Sequence, residues 1–436
     1  MEAEALARHV IERLRAGGHL AYLVGGCVRD LLLKTTPKDF DIATDARPDR
    51  IMDLFPRSSR VGAHFGVVLV RDYFEQVEVA TFRSDHDYLD GRHPEQVRFE
   101  NDPREDVLRR DFTINGLMMD PADGTVLDYV EGRRDLERGL IRAIGDPLQR
   151  FREDHLRLLR GVRFAARFGF PIEAPTFDAI RRDHELILKV STERVRDELV
   201  RILTEGGARR GFELLDESGM LAVLLPEIAA MKGVAQPPEY HPEGDVWTHT
   251  LCLLEKLPAG VSATLALGAL LHDVGKPPTF RVAGRIRFDG HVEEGVQIAN
   301  GILNRLRFSR WEIEQVEALI ANHMKFKDVH RMKESTLKRF LRMPDFAEHL
   351  ELHRLDALSS NGNLENYELA KGRLAEYREE QLKPEPLLTG TDLIAQGYEP
   401  GPVFTMILRV LEDAQLEGRI ASYDQALELV REQFPR

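Results

Sequence analysis

The stretch "GGCVRDLLLKTTPKDFDIAT", residues 25–44, constrains this chain more than any other part of it. The apolar run Ala21, Tyr22, Leu23, Val24 ends in two glycines, and two aspartates, Asp39 and Asp41, follow within the same stretch. Side chains alternate across a strand, so on a strand at 40–43 the two carboxylates share one face while Phe40 and Ile42 take the other. Carboxylates held that way repel each other unless a cation sits between them, and hard oxygen ligands suit Mg²⁺. Gly25 and Gly26 permit a turn whose backbone N–H groups approach an anion closely, and Arg29 follows to meet the same phosphates. Together they describe a site for moving a nucleotidyl group, where two metals activate a hydroxyl and steady the leaving pyrophosphate. The aspartate pair alone is equally met by an exposed acidic strand face. Its combination with the glycine turn favours chemistry.

With 436 residues the chain is too long for one compact core, so two to four domains are expected. Up to about residue 145 the text is mixed α/β, with short apolar strands at 21–24, 40–43, 67–70 and 77–82 and a helix near 47–55. From Pro147 it changes to long arginine-rich helical periods. The loop 236–244, rich in proline and glycine, marks the next boundary, and a final break at 384–390 precedes a small helical tail. The expected organisation is therefore α+β: a head at 1–145 with a small mixed sheet, then an all-α neck (146–235), body (236–383) and tail (384–436).

Residues 2–20 mix glutamates and arginines at helical spacing and do not read as a signal peptide, and the longest apolar runs, such as 264–271, are too short to span a bilayer. The two cysteines, Cys27 and Cys252, argue against a disulfide framework and fit a reducing cytoplasm. The net charge of −13 does not itself suggest nucleic acid. Its distribution is more telling: residues 150–210 carry thirteen arginines and one lysine against ten acidic residues. Phosphate binding there and a solvated face laced with ion pairs fit that count equally.

Two further constellations carry chemistry. Glu153, Asp154 and Arg157 have the spacing of surface neighbours on one helix. Such a set is by default an ion pair, but its hydrogen-bond inventory suggests more. Cytosine and adenine both present an amino donor beside an unprotonated ring nitrogen, whereas uracil and guanine present a carbonyl beside an N–H. A carboxylate and a guanidinium therefore accept the first pair and reject the second. Farther on, "WTHT" (His249), "LLHDVGK" (His272, Asp273), His291, His323 and "HRLDALSS" (Asp356) place imidazoles and carboxylates in a pattern suited to a divalent transition metal whose identity the residues do not choose.

"LVGGCVRDLLL…PKDFDIAT" resembles the signature of the class II tRNA nucleotidyltransferases, the CCA-adding enzymes and their bacterial poly(A) polymerase relatives. The resemblance continues in order through "RRDFTIN" (109–115), "EDHLRLLRGVRF" (153–164) and "GYEPGP" (397–402), and covers nearly the whole chain. It implies Asp39 and Asp41 as catalytic Mg²⁺ ligands, with Glu78 as either a third carboxylate or a solvated strand residue. It implies nucleotide binding by Gly25, Gly26, Arg29, Arg109, Arg110, Asp111 and Arg160, with Asp111 accepting from a sugar hydroxyl. Base reading falls to Asp154 and Arg157, supported by Glu153. The polar segment 83–103 reads as a mobile loop; in the family such a loop accompanies addition of A after C.

The histidine pattern resembles the HD metal-dependent phosphohydrolases. It implies one site at His249, His272, Asp273 and Asp356, while His291 and His323 either complete a second metal or bind phosphate. In CCA-adding enzymes this domain is associated with 2′,3′-cyclic phosphodiesterase and phosphatase activity. The implied function is template-independent addition of C and A from CTP and ATP to a tRNA 3′ end, with no membrane partner; the sequence leaves the oligomeric state open. Rivals are an A-adding enzyme, a poly(A) polymerase, or a phosphohydrolase with an RNA-binding head. The segment "RVGAHFGVVLV" (60–70) looks more like the CCA- or A-adding form than the poly(A) polymerase form.

Overall fold

The computed structural model describes residues 2–61, 66–72, 74–88, 91 and 94–435, and the chain divides into two compact units. One comprises Met1–Ala229 with Leu257–Val261 and Asn304–Phe308; the other comprises Ala230–Lys256, Ser262–Leu303 and Ser309–Arg436.

The first unit opens on the helix Ala3–Ala16, whose Leu6, Ala7, Val10, Ile11 and Leu14 are buried on one stripe. The stripe packs on one face of a mixed sheet, against Leu23, Ile42, Val68, Val70, Val77 and Val79. The strands are β1 (Ala21–Val24), β2 (Asp41–Thr44), β3 (Ser58–Val61), β4 (Val67–Arg71), β5 (Gln76–Thr81), β6 (Arg83–Tyr88), β7 (Pro94–Phe99), β8 (Leu117–Met119) and β9 (Val126–Asp128). Seven of them pair in the order β3-β4-β5-β2-β1-β8-β9, with β2 and β5 parallel and the other neighbours antiparallel. Ile42 and Val79 face the helix, so Asp41 and Ala43 lie on the opposite face, where Ala43 joins a smaller cluster with Val24, Phe82, Val107 and Met118. The strand expected at 40–43 starts at Asp41, which puts Asp39 in the connection before it. The helix expected at 47–55 forms as Pro48–Leu54, opening on a proline whose missing N–H costs nothing in a first turn.

Two expectations change. Residues 83–103, read as a mobile loop, hold the antiparallel ribbon β6–β7, with Arg83 opposite Phe99 and Tyr88 opposite Pro94. Leu89, Asp90, Arg92 and His93 of that segment lie outside the described residues, as do residues 62–65 of the segment 60–70. The single helix expected to carry Glu153, Asp154 and Arg157 is broken. Pro147–Glu153 ends at Asp154, whose backbone is extended (φ −140°, ψ 104°), and a new helix runs Arg157–Phe168. The neck continues as Ala174–Asp183, Thr192–Thr204 and Ala208–Glu217.

The second unit is helical around Ala263–Leu271, a segment apolar on every side and buried throughout. The helices Val246–Glu255, Arg310–Asn322 and Phe346–Ser359 pack against it. Histidines and aspartates far apart in sequence are carried to one place by that packing. The C-terminal helices Gly390–Ala395, Pro402–Leu416 and Tyr423–Gln433 share a core of Leu393, Ile407, Leu411 and Val430. No helix among the described residues is long and apolar enough to cross a membrane.

Candidate active site

Gly25 caps the helix Gly26–Leu32 with φ 75° and ψ −129°, a region closed to side chains, and a Cβ there would lie 3.0 Å from Arg110 Nη1. This turn, Asp39 and Asp41 line a cavity of about 540 Å³ in the first unit, together with Arg29, Arg110, Asp111 and Arg160. Lys38, Asn115, Arg163, Arg167 and Arg201 line it too, and sequence reasoning singled out none of them. The signal was present in part: Arg160, Arg163 and Arg167 repeat at the spacing of one helix face.

Register places Glu78 directly beside Asp41 on the parallel neighbour β5. Burial, then the charges of Glu78 and Asp39, raise the Asp41 carboxyl to about 6, with Arg110 opposing. A cation between these oxygens would remove the repulsion, so the donor set fits a hard divalent ion. Glu78 itself does not line the cavity.

The arginines are held differently from one another. Arg29, 4% exposed, donates to Asp30 Oδ1 (2.9 Å) and Asn115 Oδ1 (2.6 Å), with its guanidinium over Phe168. Arg110 donates to the buried Asp106, leaving its Nε without a partner. Arg109 turns away to Asp106 and does not line the cavity. Asp111 accepts from Arg160 Nε (2.8 Å) and Nη2 (2.6 Å), from Asn115 Nδ2 (3.0 Å) and from the Phe112 N–H (2.8 Å). These bonds fix its carboxylate in the cavity wall, where it aims Arg160.

Glu153, Asp154 and Arg157, expected to read the base, lie at the break between helices, outside this cavity lining. Arg157 Nη1 donates to Glu153 Oε2 (3.0 Å) and the Arg150 carbonyl (3.0 Å), and Nη2 donates to the Arg109 carbonyl (2.9 Å). Asp154 does not pair with Arg157, as helical neighbours would. Its carboxylate meets Arg194 Nη2 at 3.2 and 3.1 Å from the two oxygens. The ribbon reaches the same turn, because the His155 N–H donates to the Gly91 carbonyl at 3.1 Å.

The second unit carries the other site. His249, His272 and Asp356 form one group of candidate ligands, and Asp273, His291 and His323 another, with the ligand atoms of each group within 4.8 Å of one another. Four rings are anchored the same way. Nδ1 of His249 bonds Glu243 Oε1 (2.6 Å), and those of His272, His291 and His323 bond the carbonyls of Ala269, Phe288 and Ile320. Each anchor takes the Nδ1 proton, so in the neutral ring Nε2 is the ligating nitrogen. All four Nε2 atoms are buried: those of His249 and His272 lie 3.1 and 3.2 Å from Asp356 Oδ1 and Asp273 Oδ2, and those of His291 and His323 have no hydrogen-bond partner. One buried orphan costs about 1–3 kcal/mol, and the convergence of two such nitrogens with two more imidazoles and the carboxylates of Asp273 and Asp356 is a donor set that fits one or two divalent ions.

Burial alone would lower His249, but Asp356 and Glu243 raise it to about 9. Burial, then His272, lower His323 to about 4. Burial would raise Asp273, yet His272 and Lys276 hold it well below the usual carboxylate range, with Lys276 Nζ 2.6 Å from Oδ2. Glu243 and Lys276 belong to this site and were not singled out from sequence.

Comparison with known proteins follows the same division. Residues 21–142 match the family "Poly A polymerase head domain", residues 169–232 "Probable RNA and SrmB- binding site of polymerase A", and residues 245–361 "HD domain". A CCA-adding enzyme of Lactobacillus johnsonii is 39% identical over 265 residues, 59% of this chain and 65% of that enzyme. The chain thus aligns to less than two thirds of that relative's length. A CCA-adding enzyme of Limosilactobacillus fermentum is 30% identical over 424 residues, 97% of this chain and 94% of that enzyme. The crystal structure of the Bacillus stearothermophilus CCA-adding enzyme in complex with CTP superposes with a TM-score of 0.74 at 26% identity, covering 99% of both chains. The class is thereby defined: a nucleotidyltransferase head on a helical neck, joined to an HD domain. Within that class, the chain belongs to the family of the CCA-adding enzymes and bacterial poly(A) polymerases.

Proposed function

We propose that this protein is a tRNA nucleotidyltransferase that adds C and A from CTP and ATP to the tRNA 3′ end without a nucleic-acid template. The observation that carries the reading is the end-to-end match to a CCA-adding enzyme, with the carboxylate pair opening onto an arginine-lined cavity. Asp39 and Asp41 would hold Mg²⁺, which when bound activates the attacking hydroxyl and stabilises charge on the leaving pyrophosphate. The Gly25–Gly26 turn, Arg110 and Arg160 neutralise and orient the triphosphate. Arg157 keeps its Nε–H and the second Nη2 hydrogen to donate to a base, and Asp154 supplies the acceptor. tRNA would be received through its backbone and shape. Two unpaired cysteines, Cys27 and Cys252, suit a cytoplasmic setting. In the HD domain, the converging imidazole and carboxylate groups favour a second activity, hydrolysis of a phosphoester at a transition-metal centre.

The test offers the purified protein a tRNA lacking CCA, the same tRNA ending in CC, and an oligo(A), with each nucleotide triphosphate singly and together. Incorporation of C and A, poor use of U and G, and arrest at CCA is the expected result. Extension of the CC-ended tRNA alone would make it an A-adding enzyme, and long tails on oligo(A) a poly(A) polymerase.

A further inference from the structure

The carboxylate that reads the base has a partner the sequence did not suggest. Asp154 sits on extended backbone between two helices, with the Leu156 N–H on Oδ1 at 3.2 Å. That single bond leaves the carboxylate plane free to swing. Arg194, near the start of the helix Thr192–Thr204, closes the arrangement, with Nη2 straddling both oxygens at 3.2 and 3.1 Å. Both side chains are about three-quarters buried, at 26% and 21% exposure. Arg157 does not do this, because its bonds go to Glu153 and two backbone carbonyls and none goes to the Asp154 carboxylate. The neighbouring Arg196 is engaged elsewhere, on Asp197 and the Arg307 carbonyl.

We infer that Arg194 is a specificity-determining positioning residue that locks the Asp154 carboxylate as a fixed acceptor toward the incoming base. The inference rests on the reading of Asp154 as a base reader. Locked by two donors, Oδ2 still has a lone pair for the amino group of cytosine or adenine. Facing the carbonyl of uracil or guanine, the locked carboxylate opposes acceptor to acceptor and cannot turn aside. Rejection then depends on rigidity as much as on charge. Loss of Arg194 frees the carboxylate to rotate off a carbonyl, so the wrong base is tolerated while the right one is bound less well.

The experiment compares wild type, Arg194→Ala, Arg194→Lys and the control Arg196→Ala on a tRNA lacking CCA, measuring kcat and KM for CTP and for UTP. Expected for Arg194→Ala is a higher KM for CTP, little change in kcat, and a CTP-over-UTP preference in kcat/KM reduced about tenfold, the scale of one binding contrast. Arg194→Lys, which keeps a charged donor, should recover part of the preference, and Arg196→Ala all of it. The effects of Asp154→Asn and Arg194→Ala on the preference should be non-additive. Equal loss with both nucleotides, or an unchanged preference in both Arg194 variants, would overturn the role of Arg194 and leave base reading by Asp154 standing. A wild type without preference would instead overturn the base-reading assignment itself.

Discussion

Asp41 meets Glu78 across a parallel strand pair and Asp39 from the preceding connection, so three carboxylates crowd one end of the sheet. Such crowding is tolerable when an ion neutralises it. Substituting Asp39→Asn or Asp41→Asn keeps the shape and removes a ligand charge. Loss of a metal ligand's outer support alone costs about 10–100-fold, so loss of the ligand should exceed a hundredfold. The expectation is that single-turnover CMP incorporation falls by at least that much while tRNA binding, followed by filter retention, hardly moves. Incorporation near the wild-type rate would remove these two residues from the transfer site. Asp111 is a residue of the opposite kind. Buried and fully bonded to Arg160, Asn115 and a backbone N–H, its carboxyl is held below the usual range despite burial.

At the scale of elements, much of the site was legible and its long-range pairings were not. β1 forms over the residues its apolar run suggested, and the glycine turn follows it directly, with Gly25 in a positive-φ conformation. The ribbon β6–β7 was read as a loop because its sequence is mostly polar, with Tyr88, Val97 and Phe99 too few to mark an apolar strand face. Arg194 lies forty residues from Asp154, and nothing local marks a pair joined by the packing of two helices. The break at Asp154 was missed because "REDHLR" has good helix formers on both sides. The helix Phe346–Ser359 holds a buried histidine of another sort. His349 is 2% exposed, both ring nitrogens lack partners, and it lies near-parallel to Phe346. Burial lowers it to about 4, with Asp345 opposing and Lys325 reinforcing. Its unfolded value is near 6.5, so the unfolded chain takes up a proton that the folded chain refuses. The stability at stake is full above pH 6.5 and is lost as the pH falls toward 4. Between pH 7 and 5 this amounts to about 2 kcal/mol by linkage. The variant His349→Leu should lose correspondingly less stability over that interval, read from urea unfolding at the two pH values. An identical acid response in wild type and variant would show that His349 is not the group responsible.

At the scale of the whole molecule, the transfer cavity and the histidine centre belong to different compact units, and their ligand sets share no residue. The double variant His272→Ala, Asp273→Ala should lose transition-metal content by elemental analysis, together with any hydrolysis of cyclic or terminal phosphates. Its Mg²⁺-supported nucleotide addition should stay within about twofold of wild type, since sites in separate units that share no residue are expected to behave additively. Joint loss of both activities in a folded variant would mean that the sites depend on each other. The charge distribution has a consequence of its own. The chain carries a net −13, yet Arg110, Arg160, Arg163, Arg167 and Arg201 gather around a single cavity. A polyanion drifting toward such a molecule is turned away by the acidic background and drawn where the arginines open, so orientation begins before contact. Under the proposed function, the acidity that made the composition look indifferent to RNA would act as a sieve, disfavouring RNA elsewhere on the surface and favouring an end presented to this cavity.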